Sequence, residues 1–268
     1  MTLTRFLELL NRAADRPSTY VRGGIGQHLN DTNKRQLSRR YPSNDQRPGF
    51  IAADRNVFAW DCCGLIKGIL WGWTGSSASL GGVVYESNNV PDVNEDGLLG
   101  RLQNVSEDMK TVEPGEMLWL PGHCGVYVGD GTVIESTPAW ASKCQRTKLT
   151  DRPWQKHGQL PWVKYWKNIS VYDFQIAAAA DGFRFPKYGT DGIWGSETEK
   201  VAKEAICKKR LLPKYRALTR LIQKALNIPA DGIFGTQTKK TVKAYQNEVG
   251  LDADGEVGIK TWRKLLNV

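Results

Sequence analysis

Two stretches decide the reading. Ala59-Trp60-Asp61-Cys62-Cys63-Gly64-Leu65-Ile66 opens an apolar helix with a cysteine, and Gly122-His123-Cys124-Gly125-Val126-Tyr127-Val128-Gly129-Asp130-Gly131 follows about sixty residues later. The second stretch places a histidine at the mouth of a hairpin strand. A free thiol with a pKa of ~8.5 is mostly protonated at neutral pH, and the thiolate is the nucleophile. A helix N-terminus and a nearby imidazolium both favour the thiolate, so Cys62 and His123 together are the parts that thiol-dependent acyl transfer needs.

The hairpin pattern predicts how a third group joins them. A two-residue Asp130-Gly131 loop places Val126 opposite Glu135 and turns that carboxylate into the apolar face, where an unpaired charge is costly. A three-residue loop with Gly131 as a bulge places Gly125 opposite Glu135 instead. Cys124, Val126, Val128 and Ile134 then share the core face, while His123, Tyr127, Val133 and Glu135 share the other. In that register Glu135 sits diagonally from His123, takes its Nδ1 proton and leaves Nε2 for the thiol. Gly125 keeps the floor open for a substrate backbone. Cys62 attacks an amide carbonyl, His123 protonates the leaving amine and water releases the acyl-enzyme, with the Cys62 backbone N–H as an oxyanion donor.

The remaining elements predict an α+β front domain. Helix Thr2–Asp15 comes first, with Leu3, Phe6, Leu7 and Leu10 at helical spacing interrupted by Arg5, Glu8 and Arg12. This amphipathic pattern is unlike an export signal, and no uncharged apolar run approaches the length of a membrane span. A polar, loop-rich stretch runs to about Val57. The cysteine helix extends from Asp61 to about Trp71, a further helix lies near Gly97–Asn104, and strands are expected at Met117–Leu120, Gly125–Val128, Thr132–Ser136 and Trp162–Trp166.

The back third contains an internal repeat. Asp191-Gly192-Ile193-Trp194-Gly195-Ser196-Glu197-Thr198 returns as Asp231-Gly232-Ile233-Phe234-Gly235-Thr236-Gln237-Thr238, and more faintly as Asp254-Gly255-Glu256-Val257-Gly258-Ile259-Lys260-Thr261. The shared form is D-G-x-(apolar)-G-x-x-T, with glycines at turns and Trp194 or Phe234 plugging the loop onto the core. Ser196 and Thr236 are expected N-caps, Ser196 with Glu199 a capping box, and Gly250 a helix terminator. Gln-containing helices precede the first two copies, so the expectation is a small all-α domain of two tandem repeats. The domains are placed at 1–168 and 173–268, with repeat units at about 173–212 and 213–268 and a junction near Asn168–Asp173.

Net charge is +9: 20 basic and 17 acidic residues precede the Ser170–Val171 boundary, 17 and 11 follow it. The basic tail suits a polyanionic partner. No aromatic–basic interleaving or reader motif accompanies the charge, which argues against nucleic acid. Five cysteines form an odd set without secreted disulfide spacing, as expected of reduced thiols. Cys62, Cys63, His123 and Cys124 are residue types that zinc takes, but adjacent pairs lack the usual spacers, so no metal is expected. Cys63 and Cys124 are read as core residues, and His28 and His157 as loop or solvent residues.

The order Asp61-Cys62-x-Gly64-Leu65-Ile66, Pro114-Gly115-Glu116-Met117-Leu118-Trp119-Leu120 and His123-x-Gly125-Val126-Tyr127-Val128-Gly129-Asp130-Gly131-Thr132-Val133-Ile134-Glu135 resembles the NlpC-type papain-like peptidases of bacterial cell walls. The resemblance covers roughly residues 1–168. It implies a papain-like α+β fold in which the cysteine helix packs on an antiparallel sheet. Cys62 falls at the nucleophile, His123 at the base and Glu135 at the third polar position, where the family often has His. Tyr20, in Thr19-Tyr20-Val21-Arg22-Gly23-Gly24, and Asp61 fall on the substrate side. Cys63 stands where serine is usual and Arg22 where an aromatic is common.

The tail resembles the peptidoglycan-binding module marked by D-G-x-x-G-x-x-T ahead of a helix. Together the two resemblances imply a phage-type endolysin without cofactor, which waits in the host bacterial cytoplasm without a signal peptide and acts at the wall after release. Its partner would be peptidoglycan, with no nucleic acid or membrane, and it would be a monomer, with a dimer as the alternative. The implied reaction is cleavage of a stem-peptide amide, at γ-D-glutamyl–diamino acid or, alternatively, between N-acetylmuramic acid and L-alanine. A non-catalytic wall-binding protein is the alternative from another class, and a thiol acyltransferase is disfavoured.

Overall fold

The computed structural model describes residues 1–210, 212 and 214–268. The chain divides into two units, Met1–Val163 and Lys164–Val268. Among the described residues no helix is long and apolar enough to cross a membrane.

The first unit begins with α1 (Leu3–Asp15), whose Thr2 side chain caps the Arg5 N–H and whose Phe6, Leu9, Leu10 and Ala13 form the buried stripe. The stretch read as loop-rich is more ordered than expected. It holds β1 (Ser18–Tyr20), β2 (Ile25–His28), α2 (Asp31–Arg40) and α3 (Pro48–Ala52) ahead of β3 (Phe58–Trp60). The physical reason is visible in α2, where only Asn33 and Leu37 are buried, so its sequence carries almost no apolar period. β3 lies between β1 (parallel) and β2 (antiparallel) in a three-stranded sheet.

β3 leads directly into α4 (Cys62–Leu70), and every residue of that helix is buried. A helix apolar on nearly all sides, here with Lys67 as the exception, belongs at the centre of a core, and α4 packs against α1, β2 and the later strands β6 and β7. Gly64 and Gly68 make this possible: a Cβ at either would stand 1.8 Å from the Gly24 carbonyl oxygen or 2.1 Å from that of Ile25. Three fully buried tryptophans, Trp60, Trp71 and Trp73, surround this junction. Each contributes about 2–3 kcal/mol of apolar burial.

α5 occupies Glu95–Leu99, earlier than the expected Gly97–Asn104, and is followed by β4 (Gln103–Ser106). Next come β5 (Met117–Leu120), β6 (His123–Gly129), β7 (Thr132–Ser136), β8 (Cys144–Lys148) and β9 (Lys156–Gln159). They form an antiparallel six-stranded sheet in the order β4-β9-β5-β6-β7-β8. No strand forms over Trp162–Trp166.

The β6–β7 hairpin combines both anticipated loops. Val126 pairs with Ile134 and Tyr127 with Val133, the register expected of a three-residue loop. At the tip, however, Gly129 pairs with Thr132, and Asp130 and Gly131 both have positive φ (49° and 69°). The turn is therefore a two-residue type I′ turn, and a bulge between Tyr127 and Gly129 absorbs the extra residue.

The second unit contains α6 (Val171–Ala180), α7 (Ser196–Glu204), α8 (Arg216–Ala225), α9 (Thr236–Glu248) and α10 (Ile259–Leu266) around its own core, centred on Phe174, Ile222, Val242 and Trp262. The segment at the expected junction bonds into this unit: the Lys167 N–H donates to the Ala225 carbonyl and that of Ile169 to the Leu265 carbonyl. The repeat is threefold. Gln175, Gln223 and Gln246 each donate to the aspartate of the loop (Asp191, Asp231, Asp254) and to its threonine (Thr198, Thr238, Thr261), while accepting from the following glycine N–H. The third copy was faint in sequence because it has no leading helix of its own and takes Gln246 from α9. The expected caps shift by one residue: Gly195 and Gly235 are the N-caps, Ser196 and Thr236 are already helical, and the Ser196–Glu199 capping box is absent. Gly250, with φ of 72°, does follow the end of α9. The start of the expected second repeat unit, Pro213, lies outside the described residues.

Candidate active site

Asp61 positions the thiol. One of its carboxylate oxygens accepts from the Gly64 N–H at 2.5 Å and caps α4, and the other accepts from the Gly23 N–H at 2.8 Å. Burial, and then the neighbouring Cys62 thiolate, push this carboxyl up to about 6. With both oxygens engaged by backbone, Asp61 holds the turn at Gly23 against the start of α4. It also lines the cleft above. Cys62 is the first residue of α4, so its N–H is one of those with no partner inside the helix.

β6 carries His123 to the neighbourhood of the Cys62 thiol, close enough for each group to shift the protonation of the other. Glu135 on β7 closes the row, with its Oε2 2.5 Å from His123 Nε2. The expected nitrogens are thus exchanged: Nε2 faces the carboxylate and Nδ1 is left for sulfur.

Glu135 is fully buried and has more partners than the sequence suggested. Arg152 Nε donates to its Oε2 at 2.7 Å and Thr147 Oγ1 to its Oε1 at 2.6 Å, while Arg152 also reaches Thr137. Burial alone would raise the Glu135 carboxyl, but the bonds from His123 and Thr147 and the charge of Arg152 outweigh it and hold the group below its usual range. Trp154 lies along the other side of the histidine, its ring stacked at 5.8 Å and 21°. Thr147, Arg152 and Trp154 were not legible because no element was expected between Ser136 and Trp162. Gly125 has a different purpose from the one expected. A Cβ there would meet Val133, Trp154 and Glu135 at 2.9–3.3 Å, so the space above the glycine is taken by these three side chains.

Cys63 and Cys124 are buried core residues, and their sulfurs lie within 4.8 Å of Cys62 Sγ. Cys62 and Cys63 Sγ lie 3.9 Å apart, and Cys63 and Cys124 Sγ 3.7 Å. Hydrogen bonds involving Cys124 and Cys63, together with the His123 charge, hold the Cys62 thiol far below its ordinary range against the cost of burial. For Cys124 the shift is opposite: its bonds to Cys62 and Cys63, and burial, raise it. Burial pulls His123 down, but hydrogen bonds to Cys62 and Glu135 overcome this and raise it. The two shifts, thiol down and imidazole up, both favour a thiolate beside an imidazolium.

Cys62 and Cys63 open onto a cleft of ≈ 590 Å³ that Tyr20, Arg22, Arg47 and Glu95 also line. β1 pairs Tyr20 with Trp60, which brings its ring alongside the start of α4, and the Arg47 guanidinium covers it at 4.9 Å. Lys67 of α4 pairs with Asp92 and donates to the Val93 carbonyl, fixing the rim. His28 and His157 lie apart from this row. His28 bonds to the Ser76 carbonyl; His157, on β9, is buried, with Nδ1 2.6 Å from Glu116, where a solvent or loop role had been expected.

The comparisons with known proteins bear on the tail. Residues 216–265 match the family described as "Putative peptidoglycan binding domain". The second unit thus carries a peptidoglycan-binding domain. The match spans α8, α9 and α10 with the second and third glutamine–loop copies. Among solved structures, NlpC2 from Trichomonas vaginalis is similar at 15% identity and a TM-score of 0.30, covering 58% of this chain and 46% of that one. The chain therefore spans about half of that structure, and a TM-score this low bears on neither fold nor activity. No curated protein matches the chain.

Proposed function

We propose that this protein is a cysteine-dependent peptidoglycan hydrolase of the endolysin type, in which the first unit cleaves a stem-peptide amide and the second holds the enzyme on the wall. The observation that carries the reading is the buried Cys62–His123–Glu135 row opening onto a cleft, in a chain whose tail matches a peptidoglycan-binding family. Cys62 attacks the amide carbonyl, the Cys62 N–H at the free end of α4 receives the developing oxyanion, and His123 gives its Nδ1 proton to the departing amine. Glu135, fixed by Arg152 and Thr147, orients the ring as a positioning residue. Water assisted by His123 then releases the acyl group.

The bond assigned is γ-D-glutamyl–diamino acid. Arg22 and Arg47, together with Asp92 and Glu95, give the cleft charges of both signs, which suits a stem segment that carries both carboxylates and an amino group. Clearing of a wall suspension tests the reading: Cys62→Ala and His123→Ala each abolish clearing while the protein still sediments with walls. Mass spectrometry of the fragments identifies the bond. New amino termini on the diamino acid support the endopeptidase, and new amino termini on L-alanine replace it with an amidase. A Cys62→Ala protein that still clears walls refutes the mechanism.

A further inference from the structure

Three of the five cysteines meet at one point, although their spacing in sequence argued against a metal. Cys62 and Cys63 come from the start of α4 and Cys124 from β6, and all three sulfurs lie within 4.8 Å of one another. The two shorter separations are 3.9 and 3.7 Å. Thiolates bound at ~2.3 Å to a tetrahedral zinc ion stand ~3.8 Å apart, so two edges of the triangle already have the length that such an ion imposes. The triangle is not sealed. Cys62 and Cys63 line the cleft, and the Glu95 carboxylate that shares it lies 3.8 Å from Cys63 Sγ.

We infer that Cys62, Cys63 and Cys124 bind one thiophilic divalent cation of the zinc class, with the fourth position, on the cleft side, taken by water or Glu95. The ligands bind as thiolates, so their protons pass to solvent as the ion enters. Soft sulfur donors select such an ion over magnesium or calcium, which take oxygen. An ion held there uses the Cys62 lone pair that would attack the amide, so loaded protein is silent and a chelator restores it. That consequence rests on the hydrolase reading; the binding itself does not.

Cobalt(II) titration of the full-length protein, kept reduced with a phosphine, tests the site. A thiolate-to-cobalt absorption band saturating at one equivalent and displaced by zinc is expected. Cys63→Ser and Cys124→Ser each weaken binding at least tenfold, while Cys144→Ser and Cys207→Ser leave it unchanged. Wild-type protein gives a second reading that needs no variant: zinc protects Cys62 from iodoacetamide, as mapped by mass spectrometry, and magnesium does not. Absence of the band, or an undiminished band in both Cys63→Ser and Cys124→Ser, overturns the inference. Protein that clears walls yet gives no band overturns this inference alone. Protein that gives the band yet never cleaves walls in metal-free buffer refutes the hydrolase reading alone.

Discussion

At the scale of single residues the site is governed by opposed shifts on partners. Cys62 is held below its ordinary 9.0 and His123 above its ordinary 6.5, so the ion pair exists on the acid side of a normal thiol's range and on the alkaline side of a normal imidazole's. Iodoacetamide should therefore label Cys62 rapidly at about pH 6, where an ordinary thiol is almost wholly protonated. In His123→Ala that acid-side reactivity should collapse. Equal rates in the two proteins would show that the ring does not stabilise the sulfur charge. Glu135 sets a second pH dependence. Its carboxyl lies below 4.5 in the fold, so its contribution to stability is complete above pH 4.5 and is lost as pH falls through the lower, folded value. Thermal unfolding of Glu135→Gln between about pH 5 and 3 should show a flatter acid limb than the parent. Glu135→Ala leaves Arg152 and His123 without their counter-charge and should cost about 3 kcal/mol in denaturant unfolding.

Among the elements, α4 shows both what the residues disclosed and what they withheld. Its start, its apolar character and the Asp61 cap follow from Asp-Cys-Cys-Gly-Leu-Ile, because capping and periodicity are local. The hairpin register was legible because a buried carboxylate without partners is costly, which left one pairing for Glu135. The ring orientation of His123 and the roles of Arg152 and Trp154 were not legible, since these depend on where β8 and the loop after it fold back. The meeting of three thiols was hidden for the same reason: Cys124 reaches α4 only through the sheet. Gly64→Ala is expected to abolish the docking of α4, its Cβ standing 1.8 Å from a backbone oxygen; loss of soluble expression or a large fall in Tm would register this. The tail helices allow the opposite experiment. Gly195 and Gly235 are N-caps without a side-chain bond, and no atom lies closer than 4.0 Å to a Cβ built at either. Gly195→Ser and Gly235→Ser should each raise unfolding free energy by a few tenths of a kcal/mol, measurable together as a higher Tm.

For the molecule as a whole, the charge division matters more than the total. Residues after Ser170 carry 17 basic and 11 acidic side chains, and exposed charges of this kind are screened by salt. Sedimentation with anionic walls should weaken as salt rises from about 0.05 to 0.5 M, while cleavage of small soluble stem peptides should change little. Binding that is indifferent to salt would assign recognition to the uncharged loops instead.

The borrowed helix α9 has one more effect. It ends the second glutamine–loop copy and begins the third, and the third returns to the first: Trp262 of α10 donates to the Ala205 carbonyl and packs edge-on against Phe174. The tail is consequently a closed circuit and not a string of beads, so pruning its last helix would unfasten the opening one.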